Sequence, residues 1–335
     1  MTPMSITARE HLENLDGFAL VGCAVRARDI FYFVARQQGT GANPAVSEHL
    51  AKKRVVAFMR DDPEGRRWSN AELLGMDRLF ASSSAEPRSQ FVGVDAEGAV
   101  YVLGSGQSRL EQPIPTGPDG PLRGGVRRAR RIAGRVYVVS GRRGLCRRLD
   151  TDQWQSLCPP AGPPPDSMAE DYRLTRDWGF SDVDGFSPTD LYAAGGAGDL
   201  WHVGDGTYRK IGLKTNMFLE SVCCAGDGVV YVGAQSGTVL AGRGDRWSVL
   251  HRGELSVPFR DLVWHDGALY GGNDYGLWQL RDGRMEPVDL PDEIRICAGH
   301  LSVGEGVMLM AGVFGAAFLE AGRWTALFNT YHPPT

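Results

Sequence analysis

Four glycines, Gly198, Gly237, Gly276 and Gly315, fall at 39-residue intervals, three intervals running. Six residues before each stands Tyr192, Tyr231, Tyr270 or Leu309, inside a short apolar run. The surrounding text repeats with them: GFSPTDLYAAGGAGDLWHVGDGTYRKI, GDGVVYVGAQSGTVLAGRGDRWSVL, HDGALYGGNDYGLWQLRDGRMEPV and GEGVMLMAGVFGAAFLEAGRWTAL. A period of about 40 residues holding several short strand patterns is the signature of a β-propeller. Such units bury a continuous core only by stacking on neighbours, so the ring is expected to close within one domain.

Weaker copies precede these four. FALVGCAV, IFYFVAR, RVVAFMR and RWSNAEL supply four strands of a first blade at about 17–75, with the insertion QGTGANPAVSEHLAKK between the second and third. Further blades are placed at about 76–116, 124–158, 174–213, 216–253, 257–290 and 292–330. The expectation is an all-β, seven-bladed propeller of four-stranded antiparallel blades, with six or eight as the alternatives if the first units are misdivided. Residues 1–16 form a short helix or a closing strand, since Thr7 and Glu10 make a capping box and Ala8, Leu12 and Leu15 keep helical spacing. The spaced glycines are expected to reverse the chain with φ > 0. Five prolines between Pro159 and Pro165 make a stiff connection that cannot join a ladder.

Gly 44 and Pro 19 beside 42% apolar residues suit a turn-rich β chain and exclude a disordered one. No apolar run approaches the roughly 18 residues of a membrane span, and the start shows no basic segment followed by an apolar one, so a cytoplasmic location without membrane contact is expected. Six cysteines without a CxxC pair read as reduced core thiols, the adjacent Cys223 and Cys224 included.

No catalytic constellation is visible. Seven scattered histidines lack the spacing of a metal site, so neither metal nor cofactor is expected. Gly195–Gly198 joins two strands and opens no helix, which leaves a phosphate no helix N-terminus. A funnel enzyme, for instance a lyase, lactonase or glycosidase, would have to draw on Asp182, Asp261, His265 and His300.

One stretch breaks the pattern. Residues 123–148 hold ten arginines and no acid in a chain whose net charge is −4. VRRARRIAG stands where an innermost strand belongs, beside the central channel, and unpaired charge there is costly. The arginines therefore form an ion-pair seam with the acids of residues 166–190, a patch for an acidic partner, or both. Nucleic acid ranks lower, because the rest of the chain is acidic and the patch lacks aromatics for base stacking. Binding is expected on the face built by the loops that enter each inner strand and join second to third strands. Arg127 and Arg128 of the patch, Glu48 and His49 of the insertion, and Arg142, Arg143, Gln235, Asn273, Asp274, Tyr275 and Phe314 at turn tips are the candidate protein-binding residues.

The D-G-x-W/Y turns that precede Trp154, Tyr208, Trp247 and Trp324 resemble a degenerate Asp-box, the hairpin staple of sialidase-like propellers, though every copy is incomplete. The SPTDLYAAGGAGDLWHVGDG string is similar to repeats of bacterial propellers of the BNR/Asp-box type. Some single-domain members of that group look like immunity proteins. The resemblance implies a non-enzymatic protein-binding propeller that covers a cognate secreted toxin with an acidic surface. The alternatives are the funnel enzyme and a scaffold in a larger assembly.

Overall fold

A computed structural model describes residues 6–39, 47–117, 120–159 and 179–330. The proline run after Pro159, the acids of 166–178 and residues 40–46 of the insertion lie outside the described residues. Seven four-stranded antiparallel sheets follow one another along the chain, each a simple meander of consecutive strands. The chain is a seven-bladed β-propeller. Its innermost strands are Phe18–Ala27, Leu79–Ser84, Val126–Ile132, Phe180–Ser187, Leu219–Cys224, Asp261–His265 and His300–Gly304.

The hairpins explain the repeat. Asp205-Gly206, Asp266-Gly267, Asp282-Gly283, Glu305-Gly306 and Ala321-Gly322 all hold φ > 0 at both positions, the requirement of the two-residue turn whose twist matches its strands. Positive φ, as expected of the 39-residue glycines, is found at Gly198, Gly237 and Gly315 but not at Gly276. What they share is crowding: a Cβ would stand 2.3 Å from the Thr215 carbonyl at Gly198 and 3.2 Å from the Trp278 ring at Gly276. The tyrosine and leucine six residues earlier are buried between blades, as expected of strands covered on both faces.

Among the described residues no strand is exchanged between the first and last blades, and closure there rests on side chains and a backbone bond from Ile6. Phe31, Phe33, Phe58 and Trp68 of blade one share a core with Leu309, Phe318, Leu327 and Phe328 of blade seven. Ile6 N–H donates to the Leu327 carbonyl at 3.0 Å. The helix Ala8–Asn14 then packs on the outer strand of blade one, Trp68–Leu73. Its capping box forms: Thr7 Oγ1 accepts from Glu10 N–H at 3.2 Å, and Glu10 Oε2 accepts from Thr7 N–H at 3.0 Å. Leu12 departs from the expected apolar stripe and is exposed, because the helix buries Glu10 and Asn14 instead. Glu10 is needed there, since it also accepts the Arg67 backbone N–H at 2.9 Å.

Candidate functional site

Every seam between blades carries a polar stitch, most of them from the channel-lining strands. Ser83 Oγ donates to the Val25 carbonyl of blade one at 2.7 Å, and Ala85 N–H of blade two reaches the Gly134 carbonyl of blade three at 2.7 Å. Arg130 grips Asp182 of blade four bidentately at 2.9 and 2.6 Å. Asp182 in turn accepts Val222 N–H of blade five at 3.0 Å. Ser221 donates to the Phe259 carbonyl at 2.9 Å, Asp261 accepts Leu301 N–H at 3.1 Å, and Ser302 Oγ accepts Val25 N–H at 2.9 Å. Buried polar groups here are satisfied by the neighbouring blade, which fixes the angle between sheets as well as their contact.

The arginine run is absorbed into this scheme. Arg128 reaches across the channel from blade three to blade six, where it donates to Asp261 Oδ1 and to the Arg260 carbonyl, both at 2.7 Å. Arg131 donates to the Arg26 carbonyl at 3.1 Å, and Arg143 holds Asp199 at 2.7 and 3.0 Å. Arg148 and Glu111 form a fully buried bidentate pair at 3.2 and 2.6 Å. Burial pushes the Asp261 carboxyl up, but Arg128, His300 and Arg130 outweigh it and hold the group below the ordinary carboxylate range. The Arg130 guanidinium is held above its ordinary value: burial opposes the charge, and Asp182 more than restores it. The blade-three to blade-four seam expected from sequence is therefore present at Arg130 and Asp182.

The funnel-enzyme candidates do not assemble into an acid–base set. Asp182 and Asp261 are struts for Arg130 and Arg128, with His300 Nδ1 3.7 Å from Asp261. Burial, with Arg260 and Arg128, brings His300 down to about 4 against the opposing pull of Asp261. His265 sits at the far end of its strand beside Asp266. Among the described residues no group of three His, Cys, Asp or Glu side chains is placed to hold a metal ion. The six cysteines are unbridged, five of them buried.

The turn-tip candidates share one face, because loops into first strands and loops from second to third strands lie at the same end of every blade. Within that face their roles divide. Glu48 is tied to Arg36 at 2.7 Å and to the buried Lys53 at 3.5 Å, and anchors the insertion. Asn273 is buried and staples its turn by accepting Tyr275 N–H at 2.9 Å. Asp274 pairs with Arg260, which holds its carboxyl below the ordinary range against the opposing effect of burial. Arg142, with φ 55°, His49 and Gln235 are exposed. Arg127 and Arg128 line the channel and do not stand on the rim.

What sequence reading missed is an apolar arc. Tyr275 (74% exposed), Phe314 (47%), Val313 (44%), Leu50 (67%) and Leu74 (69%) are exposed large apolar side chains. All five lie in loops of the same face, on the consecutive blades six, seven and one. Only Tyr275 and Phe314 were marked by their turn positions. Leu50 and Leu74 were hidden in an insertion and at a strand end, where apolar residues look like core. Val313 also lines the channel mouth, a cavity of about 260 Å³ bounded by Arg36, Glu48, Arg78, Arg260, Asp274 and His300 among others.

No family model matches the chain. Among solved structures, "YCF48 bound to D1 peptide" superposes with a TM-score of 0.58 at 13% identity, covering 95% of this chain and 96% of that one. A puromycin hydrolase gives 0.57 at 13% identity, covering 97% of this chain and 56% of the hydrolase. Both likenesses concern the fold alone. Sequence similarity reaches further: the chain is 29% identical over 299 residues to Immune protein Tsi7 of Pseudomonas aeruginosa PAO1, an alignment that spans 88% of this chain and 95% of that protein.

Proposed function

We propose that this chain is a non-enzymatic, protein-binding propeller that serves as an immunity protein, holding a cognate toxin against its loop face and occluding it. The observation that carries this reading is the alignment with Immune protein Tsi7, which runs through nearly the whole of both chains and is not confined to a blade or two. The surface supports it. An apolar arc on three neighbouring blades, next to exposed polar groups such as His49, Gln235 and Arg142, has the composition of an interface with a hydrophobic centre and a polar rim. Tyr275 and Phe314 are its aromatic anchors. Binding of this kind needs no turnover, and Asp182 and Asp261 are committed to holding blades together. No helix among the described residues is long and apolar enough to cross a membrane, and the cytoplasm is where a toxin acting on its own producer would be met.

The test is co-expression of the chain with the toxin gene adjacent to its own, in a heterologous bacterial host. Restored growth, with a stoichiometric complex on size-exclusion chromatography, is the expected result. A soluble, folded chain that neither rescues growth nor co-elutes would overturn the reading.

A further inference from the structure

Three guanidiniums from three different blades meet at the channel. Arg78 directly precedes the innermost strand of blade two, Arg260 directly precedes that of blade six, and Arg128 projects from that of blade three. They line a central cavity of about 590 Å³, a volume in the range of small-ligand pockets. Their commitments differ. Arg128 is spent on Asp261 and Arg260 on Asp274. Among the described residues no carboxylate lies within 4.0 Å of the Arg78 guanidinium, which rests 5.2 Å from the centroid of the Phe80 ring. Burial, then Arg128 and Arg260, lower its pKa, so the three charges sense one another.

We propose that the channel mouth is a binding site for a carboxylate or phosphate anion, with Arg78 as its anchor. The anion supplies the counter-charge that the blades give Arg128 and Arg260 but withhold from Arg78, and a guanidinium fork accepts either group bidentately. His300 is neutral near pH 7 and adds no charge of its own: its Nε2, 3.5 Å from Arg260 Nη1, accepts from that guanidinium, and its one N–H, on Nδ1, faces Asp261. Carboxylates line the cavity too: Glu48, held by Arg36 and Lys53, Asp261, held by Arg128, Asp77, and Glu220 on the innermost strand of blade five, which has no ion pair among the described residues and most directly opposes the anion. An acidic side chain of a docked protein and a free small anion offer the same chemistry.

Isothermal titration of the full chain with inorganic phosphate, with citrate and with acetylated, amidated tri-aspartate separates the two sources. Saturable binding of at least one probe is expected. It should weaken tenfold or more in Arg78→Ala, stay unchanged in Arg246→Ala on the outer strand of blade five, and tighten severalfold in Glu220→Gln. A preference for the peptide assigns the site to an acidic protein segment, and a preference for phosphate or citrate to a small anion. No saturable binding by any probe, or Arg78→Ala and Glu220→Gln that both bind like the parent while melting like it, overturns the proposal.

Discussion

Arg148 and Glu111 illustrate what a buried charge requires. Their side chains are 2% and 0% exposed, so each depends on the other for solvation. Removing one partner should cost about 3–5 kcal/mol. Arg148→Ala is therefore expected to lower the denaturant midpoint steeply, while Arg148→Met combined with Glu111→Leu recovers most of the loss. Asp184 gives the opposite sign. Burial raises its carboxyl to about 6 from 3.8, against the pull of Arg130 and the Cys224 and Gly185 N–H groups. The folded state thus holds a proton that the unfolded chain has released, and stability contributed by this group falls as pH rises from about 4 to about 6. Asp184→Asn should flatten that limb of a melting-temperature profile, and an unaltered profile would remove Asp184 as its cause. At this scale the sequence showed the arginines and pointed to the acids of residues 166–190, with Asp182 among them. It gave no sign of Asp261 as a partner, which is 133 residues from Arg128 with no local pattern to link the two.

Blades were legible because turn chemistry and strand alternation are local. All four strands of the first blade, and the outer strands that begin around Trp154, Tyr208, Trp247 and Trp324, follow directly from apolar runs bounded by X-Gly turns. The reason for the spaced glycines was not legible, because Gly276 answers to the Trp278 ring and Gly198 to a carbonyl brought in by the next loop. The element most exposed to damage is the closing seam. Trp68 lies 4.8 Å from the Phe58 ring, 5.7 Å from Phe33 and 5.6 Å from Phe328 across the junction. Trp68→Ala should cost about 3–5 kcal/mol, whereas Thr7→Ala, which breaks only the helix cap, should cost about 1 kcal/mol. Urea denaturation of the two variants orders them, and equal losses would mean that the helix contributes as much to closure as the aromatic cluster.

For the molecule as a whole, the sequence indicated the ring and which of its two faces carries the loops. It left the apolar arc unseen, because neighbours on that face come from blades six, seven and one, at opposite ends of the chain. Leu74→Asp with Tyr275→Asp should abolish toxin capture and leave the melting temperature within a degree or two, as both side chains are largely in solvent. Capture that persists in this double variant would move the docking surface elsewhere on the propeller. Arg128 has a consequence of its own. Because it ties blade three to blade six, it spans the bore like a crossbar. A molecule that enters by the loop-side opening meets this bar and has to pass around it to reach the far side.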